Sequence, residues 1–170
     1  CFFVLLLYKY LNFMKKIINI LFVSFLVLGC SSQIEYRIPA FQASINGSNN
    51  WEASNFNVTT NAFGEGIITG NDFNSTISLR FPSITVGVYD LRDNIIGEAT
   101  YQDTIQYSTL NDGIASIAYF SDGEISINEI TADSKVSGTF TFNAYNSSGE
   151  STVNISQGIF YRLPLTQTTD

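Results

Sequence analysis

The stretch Thr76-Ile77-Ser78-Leu79-Arg80-Phe81 places Ile77, Leu79 and Phe81 on one side of an extended chain and Thr76, Ser78 and Arg80 on the other. A strict period of two means one buried and one solvated face, the pattern of a β-strand in a sheet covered on one side. The same alternation returns in Glu124 to Asn128, with Ile125 and Ile127 inward. In Val136 to Ala144, Val136, Phe140 and Phe142 point inward while Thr139 and Thr141 point out. In Thr152 to Phe160, Val153 and Ile155 lead, and Gln157-Gly158 interrupts the period as a bulge does.

Between these runs lie turn residues: Asn46-Gly47, Gly64-Glu65-Gly66, Gly70-Asn71-Asp72, Asp93-Asn94, Asn111-Asp112-Gly113, Ser121-Asp122-Gly123, Ala132-Asp133-Ser134 and Asn146 to Gly149. Their spacing predicts an all-β fold, one antiparallel β-sandwich or partly closed barrel of about 8–10 strands. Asp112-Gly113 and Asp122-Gly123 read as hairpin turns bounding a strand over Ile114 to Phe120. No repeat, linker or helical period breaks the span from Phe41 to Leu165, which predicts a single domain followed by a frayed tail from Thr166 to Asp170.

Composition agrees. The 170 residues are 45% hydrophobic and 14% aromatic but only 14% charged, against about 25% charged in an average domain. Polarity therefore comes from Ser, Thr, Asn and Gln, residues that suit strands and turns. The chain contains no histidine, which removes Ser-His and Cys-His nucleophiles, a histidine base and histidine metal ligands.

The amino-terminal part reads as a processing signal. Met14 is taken as the start, with residues 1–13 an upstream over-translation; Lys15-Lys16 then precede an apolar run from Ile17 to Leu28. A basic segment before a short apolar one describes a secretory signal peptide. The run ends in Leu26-Val27-Leu28-Gly29-Cys30-Ser31, which looks like a bacterial lipobox cleaved between Gly29 and Cys30, with Cys30 the lipidated residue. Acyl chains on that cysteine make the membrane the first partner, and Cys30 to residue 40 form the tether. Cys30 aside, the chain from there onward has no thiol. It carries five basic side chains (Arg37, Arg80, Arg92, Lys135 and Arg162) against 15 acidic ones, a net charge of −10. That balance argues against nucleic acid, whose phosphates need clustered Lys or Arg. Ser31 after Cys30 points to the outer membrane, on its periplasmic side or at the cell surface.

Phe41-Gln-Ala-Ser-Ile-Asn-Gly47, Trp51-Glu-Ala53, Gly66-Ile-Ile-Thr-Gly70, Gly87-Val-Tyr89, Val136-Ser-Gly-Thr-Phe-Thr-Phe142 and Gln157-Gly-Ile-Phe160 together resemble a domain of unknown function common in lipoproteins of the Bacteroidota. The resemblance implies an extracytoplasmic β-domain on a lipid anchor and carries no activity with it.

Candidate residues are few. Trp51, the only tryptophan, is expected to plug one end of the β-structure, with ligand contact by stacking on a sugar as the other use of such a ring. Tyr89, Tyr101, Tyr107, Tyr119, Tyr145 and Tyr161 are expected as half-buried strand residues. Asp90, Asp93 and Asn94 crowd one loop and Asp122 with Glu124 another, but neither has the spacing of a calcium loop, so no metal or other cofactor is expected. Asp103-Thr104-Ile105 looks like an acceptor for bacterial O-glycosylation at Thr104. No nucleophile elbow or phosphate-binding loop occurs, so an enzyme is not expected. The expected function is a non-enzymatic interaction or structural module of the cell envelope whose partner is an envelope protein or glycan. Two alternatives stand beside it: a lipocalin-like carrier whose aromatic interior, Phe56, Phe63, Phe73, Phe81, Phe140, Phe142 and Phe160, encloses an apolar ligand, and a carbohydrate-binding module.

Overall fold

The computed structural model describes residues 40–92, 96–114 and 120–167. The chain divides into Cys1–Glu35, outside the described residues, and Tyr36–Asp170, which holds the β-structure. Cys30, Gly29, the tether up to residue 39 and Tyr119 therefore lie outside the described residues, as do Asp93, Asn94 and most of the strand expected over Ile114 to Phe120; residue 40 begins the first strand.

Eleven strands, and no helix, form among the described residues. They are β1 (Ala40–Ile45), β2 (Asn49–Glu52), β3 (Asn55–Thr60), β4 (Gly66–Asn71), β5 (Thr76–Phe81), β6 (Gly87–Asp90), β7 (Glu98–Gln102), β8 (Gln106–Ser108), β9 (Asp122–Ile130), β10 (Lys135–Asn146) and β11 (Thr152–Gln167). One layer runs β2-β1-β11-β10-β9-β6 and the other β3-β4-β5-β7-β8. They join at two corners, β11 with β3 and β10 with β8, so the hydrogen bonding closes into a ring from which β1-β2 and β9-β6 extend. This is a partly closed sandwich. Every pairing is antiparallel except β11 with β3, where Leu165, Thr166 and Gln167 run parallel to Val58, Thr59 and Thr60. That pairing carries the strand through Thr166 and Gln167, beyond the expected start of the tail.

β11 makes the corner by bending. Its partner register slips between Phe140 and Phe142 and again between Val136 and Gly138. The residues at the slips, Gln157 and Arg162, have φ of 52° and 51°. Each is a bulge of the kind that turns a strand, and the first falls where Gln157-Gly158 interrupts the period. Between them, Phe140 faces Gly158 and Phe160 faces Gly138 across the β10–β11 ladder. Each ring lies where a Cβ on the opposing glycine would stand, so the glycines make room for aromatic rings packed over the backbone. The Val-Ser-Gly-Thr-Phe and Gln-Gly-Ile-Phe motifs are the two halves of that arrangement.

The core is filled by Phe41, Phe81, Phe140, Phe142, Phe160, Ile68, Ile77, Leu79, Ile125 and Ile155, all essentially without solvent contact. Phe41 packs edge-on to Phe140, with ring centroids 5.3 Å apart, and reaches across to occupy the space over Gly70 in the other layer. Two of the expected interior aromatics are not there: Phe63 is 89% and Phe73 95% exposed. Both sit in turns whose backbone is held by a side chain. Asn61 Oδ1 accepts from the N–H groups of Phe63 and Glu65 at 3.0 Å each, and Asp72 Oδ1 accepts from those of Asn74 and Ser75 at 2.7 and 2.6 Å. Turn chemistry sets these residues, not the alternation of a strand. A further departure is Asp122-Gly123, which begins β9 instead of forming a turn. A Cβ on Gly123 would stand 2.9 Å from Phe142 Cβ and 3.0 Å from Leu91 Cβ, so the glycine serves a close approach inside the sheet.

Candidate functional site

β6 pairs with β9 so that Val88 faces Ser126 and Asp90 faces Glu124; β9 pairs with β10 so that Glu124 faces Thr141 and Asp122 faces Asn143. Alternation sends Tyr89, Ile125, Ile127, Phe140 and Phe142 inward, where Tyr89 packs on Phe81 with centroids 5.7 Å apart. It leaves Val88, Asp90, Asp122, Glu124 and Thr141 on the outer surface. The result is an open groove of about 710 Å³ over β6, β9 and β10. Its walls carry three carboxylates, those of Asp90, Asp122 and Glu124, with the hydroxyl of Thr141 and the amide of Asn143 beside them.

The groove's polar side chains are tied in place. Asn143 Nδ2 donates to Asp122 Oδ1 at 2.6 Å, and Asn154 Nδ2 donates to Asn143 Oδ1 at 2.6 Å, a side-chain ladder across three strands. Asp90 Oδ1 accepts from the Arg92 backbone N–H at 2.7 Å. The Arg92 guanidinium is committed to Asp112, with Nη2 at 2.8 and 3.0 Å from the two oxygens, and lies 5.0 Å from the ring centre of Phe120, which is 63% exposed. Beneath this rim, buried Leu91 donates its N–H to the Gly123 carbonyl at 2.8 Å. The Thr109 hydroxyl donates to the Leu91 carbonyl and the Ser121 hydroxyl to the Thr109 carbonyl.

Like charges directly opposed across two strands destabilise a sheet, and Asp90 opposite Glu124 is such a pair. Asp122 stands two residues from Glu124 on the same face of β9. Among the described residues, no three His, Cys, Asp or Glu side chains converge in a way that would hold a metal ion. Chemically the groove offers fixed acceptors, one amide and a hydroxyl donor, with apolar Val88 in its lining and Phe120 beside Arg92.

Trp51 lies in the core, 3% exposed. Its ring stands at 88° to Phe41 with centroids 5.3 Å apart, and its Nε1 donates to Ser75 Oγ at 2.9 Å. Thr104 lies in the exposed β7–β8 turn, where Asp103 Oδ1 accepts the Ile105 N–H at 2.8 Å. Tyr101 and Tyr107 are buried, more deeply than the half-burial expected for them, with rings 6.1 Å apart; burial raises the Tyr101 hydroxyl above its usual value of 10.0. Tyr89, Tyr145 and Tyr161 are half-buried. Sequence reasoning picked out Asp90, Asp122 and Glu124 as oxygen-rich residues of separate loops, and the β6–β9 pairing brings them together. It missed Thr141, Asn143 and Phe120, whose only signal is their outward place on a strand or beside one.

No curated protein and no solved structure matches the chain. One family model does match, the domain of unknown function DUF6252, over residues 37–164. Those residues take in β1 to β10 and all but the last turn-corner residues of β11, and the chain belongs to this DUF6252 family.

Proposed function

We propose that the protein is a lipid-anchored, non-enzymatic module of the cell envelope that binds a glycan through the groove over β6, β9 and β10. The observation that carries the binding surface is the Asp90–Glu124 opposition. Two carboxylates in register across β6 and β9 can both accept from a ligand's hydroxyl or amino groups. Asn143 and Thr141 supply the complementary donors, and Phe120 at the rim supplies an apolar face on which a sugar ring can stack. Support for the anchor comes from the order Lys15-Lys16, apolar run, Gly29-Cys30, Ser31-Ser32 in the sequence, and for an outer-membrane location from Ser31. Support for the absence of catalysis comes from the lack of histidine and of any thiol between residues 31 and 170. Phenylalanine rings occupy the space in which a lipocalin-like carrier would enclose its ligand, which favours the surface groove over that alternative.

The test is calorimetric titration of solubilised envelope glycans into the wild-type protein and its Glu124→Gln variant. A hydrogen bond to a charged group contributes roughly 1.5–3 kcal/mol, so Glu124→Gln should weaken binding about tenfold to a hundredfold. The same change removes the cross-strand repulsion and should leave the melting temperature equal or higher. Equal binding by the variant, or no glycan bound by the wild type, contradicts the assignment. Thr104, exposed at the tip of the β7–β8 turn, is proposed as an O-glycosylation acceptor; if the intact mass of protein from the native envelope falls on Thr104→Ala by no more than the difference between the two side chains, the assignment is contradicted.

A further inference from the structure

The charge of the domain is unevenly divided between its two ends. One end carries the turns 61–65, 82–86 and 131–134. Gly66 faces Phe81, which sets the first two turns side by side, and the Leu165 N–H donates to the Ser134 carbonyl at 2.9 Å where β11 meets β3, which sets the third with them. β1 is entered from this end, since Ala40 faces Tyr161 while Ile45 faces Ile155 farther away. The opposite end carries the turns at 72–75 and 103–105, adjacent because Thr76 faces Gln102.

The entry end presents Phe63, 89% exposed, and Val86, 65% exposed. Its acids are nearly matched by bases. Glu65 pairs with Arg80 at 3.0 Å and Asp133 with Lys135 at 2.7 Å; Glu129 and Arg162 flank Ser137, and Glu98 stands opposite Arg80. At the far end Phe73 and Ile105 project as well, 95% and 46% exposed, but from turns that carry Asp72 and Asp103, and Asp90, Asp122 and Glu124 line the half of the groove nearest them. An acidic surface is repelled by anionic headgroups, whereas a charge-matched one with projecting apolar side chains can settle into an interface.

We infer that the entry end docks on the bilayer, with Phe63 and Val86 in the headgroup region and the acidic groove turned away from it. This rests on the lipid anchor proposed above. Nine residues separate Cys30 from Ala40, a reach of at most about 30 Å, so an acylated Cys30 keeps this end within contact distance of the membrane.

The experiment uses the full chain, purified as the lipoprotein and reconstituted in phosphatidylethanolamine–phosphatidylglycerol vesicles that contain brominated lipid. Two single variants are compared, Phe63→Trp and Phe73→Trp, on the background of the buried Trp51. Both positions are exposed turn residues, so neither change disturbs the core. The expected result is a blue shift and strong quenching of the added emission for Phe63→Trp and neither for Phe73→Trp. Intact mass of the same samples reports acylation of Cys30. An acylated protein in which Phe63→Trp stays unquenched overturns the docking inference and leaves the anchor standing; a blue shift without quenching does the same, because it shows that a second protein surface covers the site. A protein without acyl mass overturns the anchor, and the inference with it.

Discussion

Trp51 ties the two layers of the sandwich together from a short edge strand. Its indole N–H reaches Ser75 at 2.9 Å, whose own hydroxyl is 3.1 Å from Asp72 Oδ1. Trp51→Phe keeps most of the apolar volume and loses that bond, which should cost about 1 kcal/mol. Trp51→Ala empties a fully packed site and should cost roughly 3–5 kcal/mol. Denaturant midpoints with an unchanged m-value check both. Asp133 offers a second residue-scale test. The Lys135 ammonium and then the Thr131 hydroxyl hold its carboxyl below the ordinary 3.8, at about 2. A carboxyl depressed in the folded state adds stability above its ordinary value, and that stability is lost as pH falls from about 4 through about 2. The Asp133 carboxyl carbon followed by NMR should titrate near 2, and Lys135→Ala should move its midpoint back toward 3.8. A midpoint already at 3.8 in the wild type contradicts the pairing.

At the scale of elements, β10 and β11 decide the architecture. The alternation of Val136, Phe140 and Phe142 is legible in the sequence because all three neighbours of β10 are antiparallel and one face is buried. β11 is only partly legible: its two bulges reset the period, so the turn from one layer to the other leaves no pattern beyond Gln157-Gly158. Gly138 lies beneath the Phe160 ring and against the Ser126 carbonyl. Gly138→Ala should therefore destabilise by roughly 1–3 kcal/mol through overpacking against backbone. Gly64, at φ 83° with open space around it, is there for its conformation alone, and Gly64→Asn should cost under about 1 kcal/mol because Asn tolerates the left-handed region. Thermal melts of the two variants separate these causes; equal losses would contradict the packing reading of Gly138. The misplacement of Phe63 and Phe73 has the same root, since an aromatic in a turn looks like an aromatic in a strand until Asn61 and Asp72 are seen holding the backbone.

For the whole molecule, the all-β class follows from alternation, turn residues and scarce charge, but the groove does not. Asp90 and Glu124 are far apart in the chain, and only the β6–β9 register opposes them. Periodicity states which face a residue takes and is silent about which strand lies beside it. The packed interior and the acidic outer groove support the proposal that this domain binds through its surface and not by enclosing a ligand. The most direct test is an NMR titration of the chain from Ser31 onward with solubilised envelope glycans, reading backbone amide shifts. Surface binding would confine the shifts to Asp90, Asp122, Glu124, Thr141, Asn143 and the Phe120 rim. Shifts centred on Phe140, Ile155 and Phe160 instead, with the groove unmoved, would contradict it.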